Sequence, residues 1–185
     1  MKLMFASDIH GSAYYCRRML DIYKNSGAGR LILLGDILYH GPRNDLPREY
    51  APKEVIAMLN PLKGEILAVR GNCDTEVDQM VLEFPILADY GLFFVDGKRL
   101  YATHGHVFNE NHLPPLTDGD VLVHGHTHLL EAKVIEAGEN MHVTILNPGS
   151  VSIPKGGNPA TYALLEDGIF SILTLDGDVV KQISL

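Results

Sequence analysis

The chain has 185 residues, 46% of them hydrophobic, and a formal charge of −8. That suits one domain over residues 1–185 with a substantial core, and it argues against a basic phosphate-backbone binder, hence against a nucleic-acid partner. No apolar run approaches the ~18 residues a membrane span needs. The opening Met-Lys-Leu-Met-Phe-Ala is too short for a signal peptide, and Cys16 and Cys73 make no disulfide framework, so a cytoplasmic chain without membrane contact is expected.

In chain order, Lys2 to Ala6 is an apolar run followed by Asp8-Ile9-His10-Gly11 and a helical pattern, which reads as a buried parallel strand. Asp8 and His10 lie just past its carboxyl end, where open α/β sheets place ligands. Two residues apart in extended chain, their side chains share a direction. Ser12 to Ser26 carries Tyr15, Met19, Ile22 and Tyr23 at helical spacing, with Ser12 as N-cap and Gly27 as stop. Arg30 to Leu34 is a second strand, ending in Gly35-Asp36. Residues 37–51, with Gly41, Pro42 and Pro47, form a loop. Pro52 starts a helix with Val55, Ile56 and Leu59 on one face. Glu65 to Val69 is a third strand, ending in Arg70-Gly71-Asn72-Cys73-Asp74. The repeat fits βαβ units of ~30 residues.

The second half is rich in strands. Leu92 to Val95 and Arg99 to Ala102 flank Asp96-Gly97, a type I′ hairpin signal. The latter strand ends in Thr103-His104-Gly105-His106. Val121 to Val123 ends in His124-Gly125-His126-Thr127-His128. Ala132 to Glu136 and Val143 to Leu146 follow, and then Asn147-Pro148-Gly149-Ser150. Tyr162 to Leu165, Phe170 to Leu175 and Val179 to Ile183 form a meander through Asp167-Gly168 and Asp176-Gly177. The expected architecture is two packed sheets with helices outside. Exposed apolar strands allow a homo-oligomer, and Cys16 is expected to be buried on the first helix.

Five of the nine histidines fall between residues 104 and 128, at two strand ends. His40, His112 and His142 read as ordinary hydrogen-bonding residues. The clustered histidines read as half of a metal site whose other half is the carboxylates. The candidate set is Asp8, His10, Asp36, Asn72, His104, His126 and His128. Imidazole with carboxylate suits manganese, iron or zinc, and no thiolate pair makes a structural zinc cage. Seven ligands suit two ions with one carboxylate bridging. Two divalent cations bring about +4 and two aspartates remove about 2 of it, so the centre stays cationic and favours an anionic substrate. Paired metals suit the attacking and leaving oxygens of a phosphoryl group.

Asp8-x-His10, Gly35-Asp36, Gly71-Asn72-x-Asp74, His104-Gly105 and Gly125-His126-x-His128 resemble, in order and spacing, the calcineurin-like metallophosphoesterases. GDILYHGPRN, VRGNCDTEVDQM and NPGSVSIPKGGNPA extend the resemblance to the family's small bacterial phosphodiesterases over essentially the whole chain. The resemblance implies a four-layer αββα sandwich of two mixed sheets with flanking helices. It implies two divalent metals, manganese foremost, with zinc, iron or cobalt as alternatives. Asp8, His10, Asp36 and His128 would hold one ion, and Asp36, Asn72, His104 and His126 the other.

The reaction expected is hydrolysis of a small phosphodiester by a hydroxide shared between the metals. Asn72, Cys73 and Asp74 are the catalytic block, and Arg43 and Asn44 the phosphate contacts. Many relatives carry histidine where this chain has Cys73, and that histidine is thought to protonate the leaving group. An unperturbed thiol, with a pKa of about 8.5, is a poorer acid for the task, which leaves His106 and His40 as substitutes. A phosphomonoesterase or nucleotidase with the same metals is the first alternative. A scaffold resembling a retromer coat subunit is the second, although it would not need every ligand kept.

Overall fold

The computed structural model describes residues 1–185. Three short strands, β1 (Leu3–Ala6), β2 (Arg30–Leu33) and β3 (Ile66–Ala68), alternate with helices α1 (Ala13–Ser26) and α2 (Pro52–Leu59). A one-turn helix, α3 (Glu76–Gln79), leads to β4 (Tyr90–Val95), β5 (Lys98–Thr103), β6 (Val121–Val123), β7 (Leu130–Gly138) and β8 (Met141–Pro148). The chain closes with β9 (Thr161–Glu166), β10 (Ile169–Thr174) and β11 (Val179–Ser184). The strands form two mixed sheets, ordered β11-β10-β9-β1-β2-β3 and β4-β5-β6-β8-β7.

Alternation along each strand decides what each sheet face buries. Leu3, Phe5 and Ile32 point into a core shared with Leu100, Val121, Val123 and Leu146 of the other sheet. Met4, Ala6, Leu31 and Leu33 point the opposite way, onto α1 and α2. A strand buried on both faces must be apolar throughout, which is why β1 and β2 read as unbroken runs rather than alternations. The outer face of the second sheet carries Tyr101, Leu122, Val143 and Ile145. Its cover is Phe108, Leu113 and Leu116 from the irregular segment between β5 and β6, not a helix.

Local signals explain most boundaries. The Ser12 side chain accepts the Tyr15 N–H at the start of α1, and Gly27 ends it in the left-handed conformation. Its buried stripe is Cys16, Met19, Leu20 and Tyr23, a slightly rotated version of the expected one, with Tyr15 and Ile22 at its margins. Asp96-Gly97 and Asp167-Gly168 have both residues at positive φ, as type I′ turns require. Helix α3, absent from the sequence reading, is fixed by a capping box between Thr75 and Asp78.

The parallel pairings β1–β2, β2–β3, β5–β6 and β6–β8 align strand carboxyl ends within each sheet. The chain leaves β1 at Asp8, β2 at Asp36, β3 at Asn72, β5 at His104 and β6 at His126. Every expected ligand therefore follows a parallel strand, and the ends of both sheets meet at one place.

Candidate metal centre

The loops after β1, β2 and β6 turn sharply. Asp8, His10, Asp36, His126 and His128 all sit at positive φ, between 49° and 67°. Non-glycine residues are uncommon there and cost of order 1 kcal/mol or more each. The extended i, i+2 geometry expected for Asp8 and His10 is therefore not what aims them. Two left-handed residues bracket Ile9 and curl the loop, and His10 N–H is held by the Asp36 carbonyl at 2.9 Å.

Three histidines are fixed by the same device. His10 Nδ1 donates to the Tyr39 carbonyl (2.7 Å), His104 Nδ1 to the Leu34 carbonyl (2.6 Å) and His128 Nδ1 to the Ile153 carbonyl (2.6 Å). Each ring then presents Nε2 inward, the arrangement in which histidine serves as a metal ligand. His10 Nε2 and His128 Nε2 lie 3.3 Å apart, and Asp8 Oδ1 is 3.6 and 3.3 Å from them. Asp36 Oδ2 lies 3.7 Å from His10 Nε2 and 3.4 Å from His104 Nε2. His104 Nε2 is in turn 3.1 Å from Asn72 Oδ1 and 3.2 Å from His126 Nδ1.

The donor set fits two cations. Asp8-His10-His128 and Asp36-His104-His126 each bring their ligand atoms within 4.8 Å of one another. Asp36 is common to both sides. Asp8 Oδ1 is buried with no hydrogen-bond partner, a costly state for a carboxylate oxygen unless a cation lies beside it. His10 Nε2 and His128 Nε2 face each other at 3.3 Å beside it.

The surroundings hold these atoms in place. Ser150 and Ser152 hydroxyls both donate to the Asp8 carbonyl (3.0 and 2.7 Å). Asp36 Oδ1 accepts the Cys73 N–H at 2.8 Å, which leaves Oδ2 for the centre. Asp74 is not aimed at the centre. Its carboxylate accepts the N–H groups of Asp36, Ile37 and Gly71 at 2.8–2.9 Å, and so clamps the loop after β2 to the loop after β3. A Cβ on Gly71 would stand 2.2 Å from Asp36 Oδ1, and one on Gly125 1.9 Å from Ser7 Oγ. Only glycine permits these approaches.

Cys73 lies within ligand distance of His10 and Asp36, and its sulfur accepts from Asn72 Nδ2 at 3.2 Å. Arg43 is exposed and forms no ion pair, and Asn44 donates to the His40 carbonyl at 2.8 Å. His106 is exposed, its ring centroid 5.4 Å from that of His104. The carbonyls of Leu34, Tyr39 and Ile153 have no sequence signature, because any residue supplies one. Ser150 and Ser152 were visible only as part of the NPGSVS stretch.

Electrostatics follow from this crowding. Burial disfavours ionisation of Asp8, but His10 and His128 outweigh it and hold the carboxyl well below its usual range. Asp36 is lowered in the same way, with His104 overcoming burial. Burial disfavours charge on His104, yet Asp36 and Asp8 raise it to about 9. Burial and the neighbouring His104 push His126 down to about 4. Burial, followed by the charge of Asp36, pushes the Cys73 thiol up to about 12. The thiol is therefore protonated at neutral pH.

Residues 1–167 match the calcineurin-like phosphoesterase superfamily domain, and the chain belongs to that superfamily. Phosphodiesterase YfcE of Escherichia coli (strain K12) is 51% identical over 186 residues, covering 100% of this chain and 98% of that protein. The solved structure of YfcE, described as a phosphoesterase from E. coli, superposes with a TM-score of 0.94 over 100% of this chain and 99% of that one. Vps29 of Entamoeba histolytica, solved with zinc, shares the fold at 22% identity and TM-score 0.62, over 100% and 99% of the two chains.

Proposed function

We propose that this chain is a two-metal phosphodiesterase acting on small phosphodiesters, with manganese as the resident ion. The observation that carries the reading is Asp36 Oδ2, set between His10 Nε2 and His104 Nε2 with its partner oxygen tied to Cys73 N–H. One carboxylate oxygen between two histidine clusters is the arrangement of a bridging ligand. Asp8, His10 and His128 would complete one ion's set with it, and Asn72, His104 and His126 the other's. Two divalent cations there supply a water activated near neutral pH and a positive clamp for phosphoryl oxygens. The resemblance to YfcE supports diesters over monoesters. Residues 1–185 act as one domain, since the two sheets share a core.

The chain's own groups do the rest. Asn72 Nδ2, now on Cys73 Sγ, is a donor at the edge of the cluster, available to a phosphoryl oxygen. Exposed Arg43 and half-buried Asn44 lie in the loop whose Gly41 packs on Cys73, and we assign them to the substrate's free oxygens. Asp74 acts through Asp36 as a positioning residue.

The test is metal reconstitution. Chelator-stripped protein is loaded separately with manganese, zinc, iron(II), cobalt or magnesium and offered bis(p-nitrophenyl) phosphate and p-nitrophenyl phosphate. Manganese-dependent release from the diester, lost in Asp36→Asn, is the expected result. Release from the monoester alone would make the protein a phosphatase. Two bound ions per chain without release from either ester would point to a scaffold.

A further inference from the structure

The two sheets end side by side on unpaired edges. β4 closes the second sheet and β3 the first, and Arg70 N–H donates to the Ala88 carbonyl at 2.7 Å where the two edges meet. Between them runs a groove of about 400 Å³, lined by Leu67, Val69, Pro85, Gly91 and Phe93 among others. Strand alternation splits β4 into two faces. Phe93 and Val95 turn toward the inter-sheet core, so Tyr90, Leu92 and Phe94 turn outward. Tyr90 stacks on Tyr101 of β5 at 4.7 Å, while Leu92 and Phe94 stay 46% and 73% exposed.

The backbone of this edge is equally open. Val95 and Lys98 flank the two-residue turn at Asp96-Gly97, and such a flanking pair exchanges hydrogen bonds. Bonding then alternates along the strand, so Val95, Phe93 and Gly91 spend their N–H and C=O groups on β5. Those of Tyr90, Leu92 and Phe94 point away from it, and no turn or loop backbone meets them. The three residues with open backbone are the three with outward apolar side chains. The far edges of the two sheets carry charge instead: Glu131, Lys133 and Glu136 on β7, and Lys181 on β11. From Tyr90 to Val95 there is neither a charge nor a proline. An apolar, uncharged edge of that kind is a template for another strand.

We propose that β4 is the dimer interface of this protein, pairing antiparallel with β4 of a second copy across a two-fold axis at Leu92. In that register the strand is its own complement. Leu92 faces Leu92 of the second copy, and Tyr90 and Phe94 face Phe94 and Tyr90 of the second copy, so every open backbone group on the edge gains a partner. Large apolar side chains meet across the outer face. On the inner face Phe93 comes opposite Gly91 of the second copy, where the groove has room for a ring. A shift of one residue would set outward side chains against inward ones, and a shift of two would leave Tyr90 or Phe94 without a large apolar partner. Leu67, Tyr90, Leu92 and Phe94 leave roughly 450 Å² open per copy, which with the paired backbone brings two copies to about 1,000 Å², the lower bound for a specific interface. Nothing in the pairing depends on phosphodiesterase activity.

Sedimentation velocity on the manganese-loaded full chain, over a range of concentrations, tests this. The expected species is a dimer whose mass halves in Leu92→Lys, because two ammonium groups then face each other across the axis. Leu92→Cys tests the register. A residue on the axis meets its own copy at about 5.5 Å between Cα atoms, within disulfide reach. Mild oxidation should therefore link Leu92→Cys into dimers and leave Val134→Cys, exposed on β7, unlinked. Cys16 and Cys73 are buried and do not compete. Circular dichroism and metal content check that each variant is folded; if Leu92→Lys fails them, Leu92→Cys decides. A monomer at every concentration would overturn the proposal and leave the edge to a different partner. A dimer that survives Leu92→Lys, with no link through Leu92→Cys, would place the contact on another surface and overturn it as well. A larger assembly that breaks down in Leu92→Lys and links through Leu92→Cys would keep β4 pairing as one of its contacts.

Discussion

A proton on His104 competes with a metal for its Nε2. Burial alone would lower its pKa, but Asp36 and Asp8 raise it to about 9 from 6.5. A histidine with a raised folded pKa stabilises the metal-free protein fully below pH 6.5, and that stabilisation is lost as pH rises through about 9. Metal binding runs the other way, because the ligand must be neutral. Manganese affinity, measured by chelator competition, should rise up to about tenfold per pH unit until pH 9; a flat profile would show that His104 is neutral in the metal-free chain. Cys73 gives a second residue-scale expectation. With its thiol held at about 12 by burial and Asp36, it is a weak proton donor to a departing alkoxide. Across a series of phosphodiesters, rates should fall steeply as leaving-group pKa rises. A shallow slope with chemistry rate-limiting would mean that another group, such as exposed His106, supplies the proton.

At the scale of elements, the centre is made by loops in unfavourable backbone conformations, locked by side chains from other loops. Asp74 joins the loop after β2 to the loop after β3 through three backbone N–H groups. Asp74→Ala leaves those buried donors unsatisfied and should cost about 1–3 kcal/mol in denaturant unfolding. It should also weaken metal binding about 10–100-fold, as losing a ligand's support does. Unchanged stability with unchanged metal affinity would show that Asp36 holds its position without the clamp.

For the whole molecule, the centre ties the two sheets together, since Asp8, His10 and Asp36 follow strands of one while His104, His126 and His128 follow strands of the other. Metal loading should therefore stabilise the entire fold. At a hundred times the dissociation constant the gain is about 2.7 kcal/mol per site, a rise in Tm of roughly 5–10 °C for a chain of this size. Scanning calorimetry of stripped and loaded protein measures it, and an unchanged Tm would mean that the sites bind no better in the folded chain than in the unfolded one. Two divalent cations held there would turn the local potential positive within a chain of net charge −8, as an anionic substrate requires.

The sequence by itself determined the strands, the helix caps, the type I′ turns at Asp96-Gly97 and Asp167-Gly168, and the seven residues gathered at the centre. Those features are written in local patterns: apolar periodicity, glycine and aspartate at turns, and polar groups at strand exits. Position after a strand's carboxyl end was enough to gather Asp8, His10, Asp36, Asn72, His104, His126 and His128, because parallel pairing forces those ends together. Tertiary structure decided the rest. The aim of Asp8 and His10 comes from left-handed backbone, which no side-chain pattern announces. Asp74 became a clamp between two loops because its carboxylate met three N–H groups, from Asp36, Ile37 and Gly71. His124, two residues from His126, faces outward because strand alternation turns it away from the inter-sheet core that Val123 faces. Such outcomes depend on what distant segments place nearby, and local sequence does not encode that.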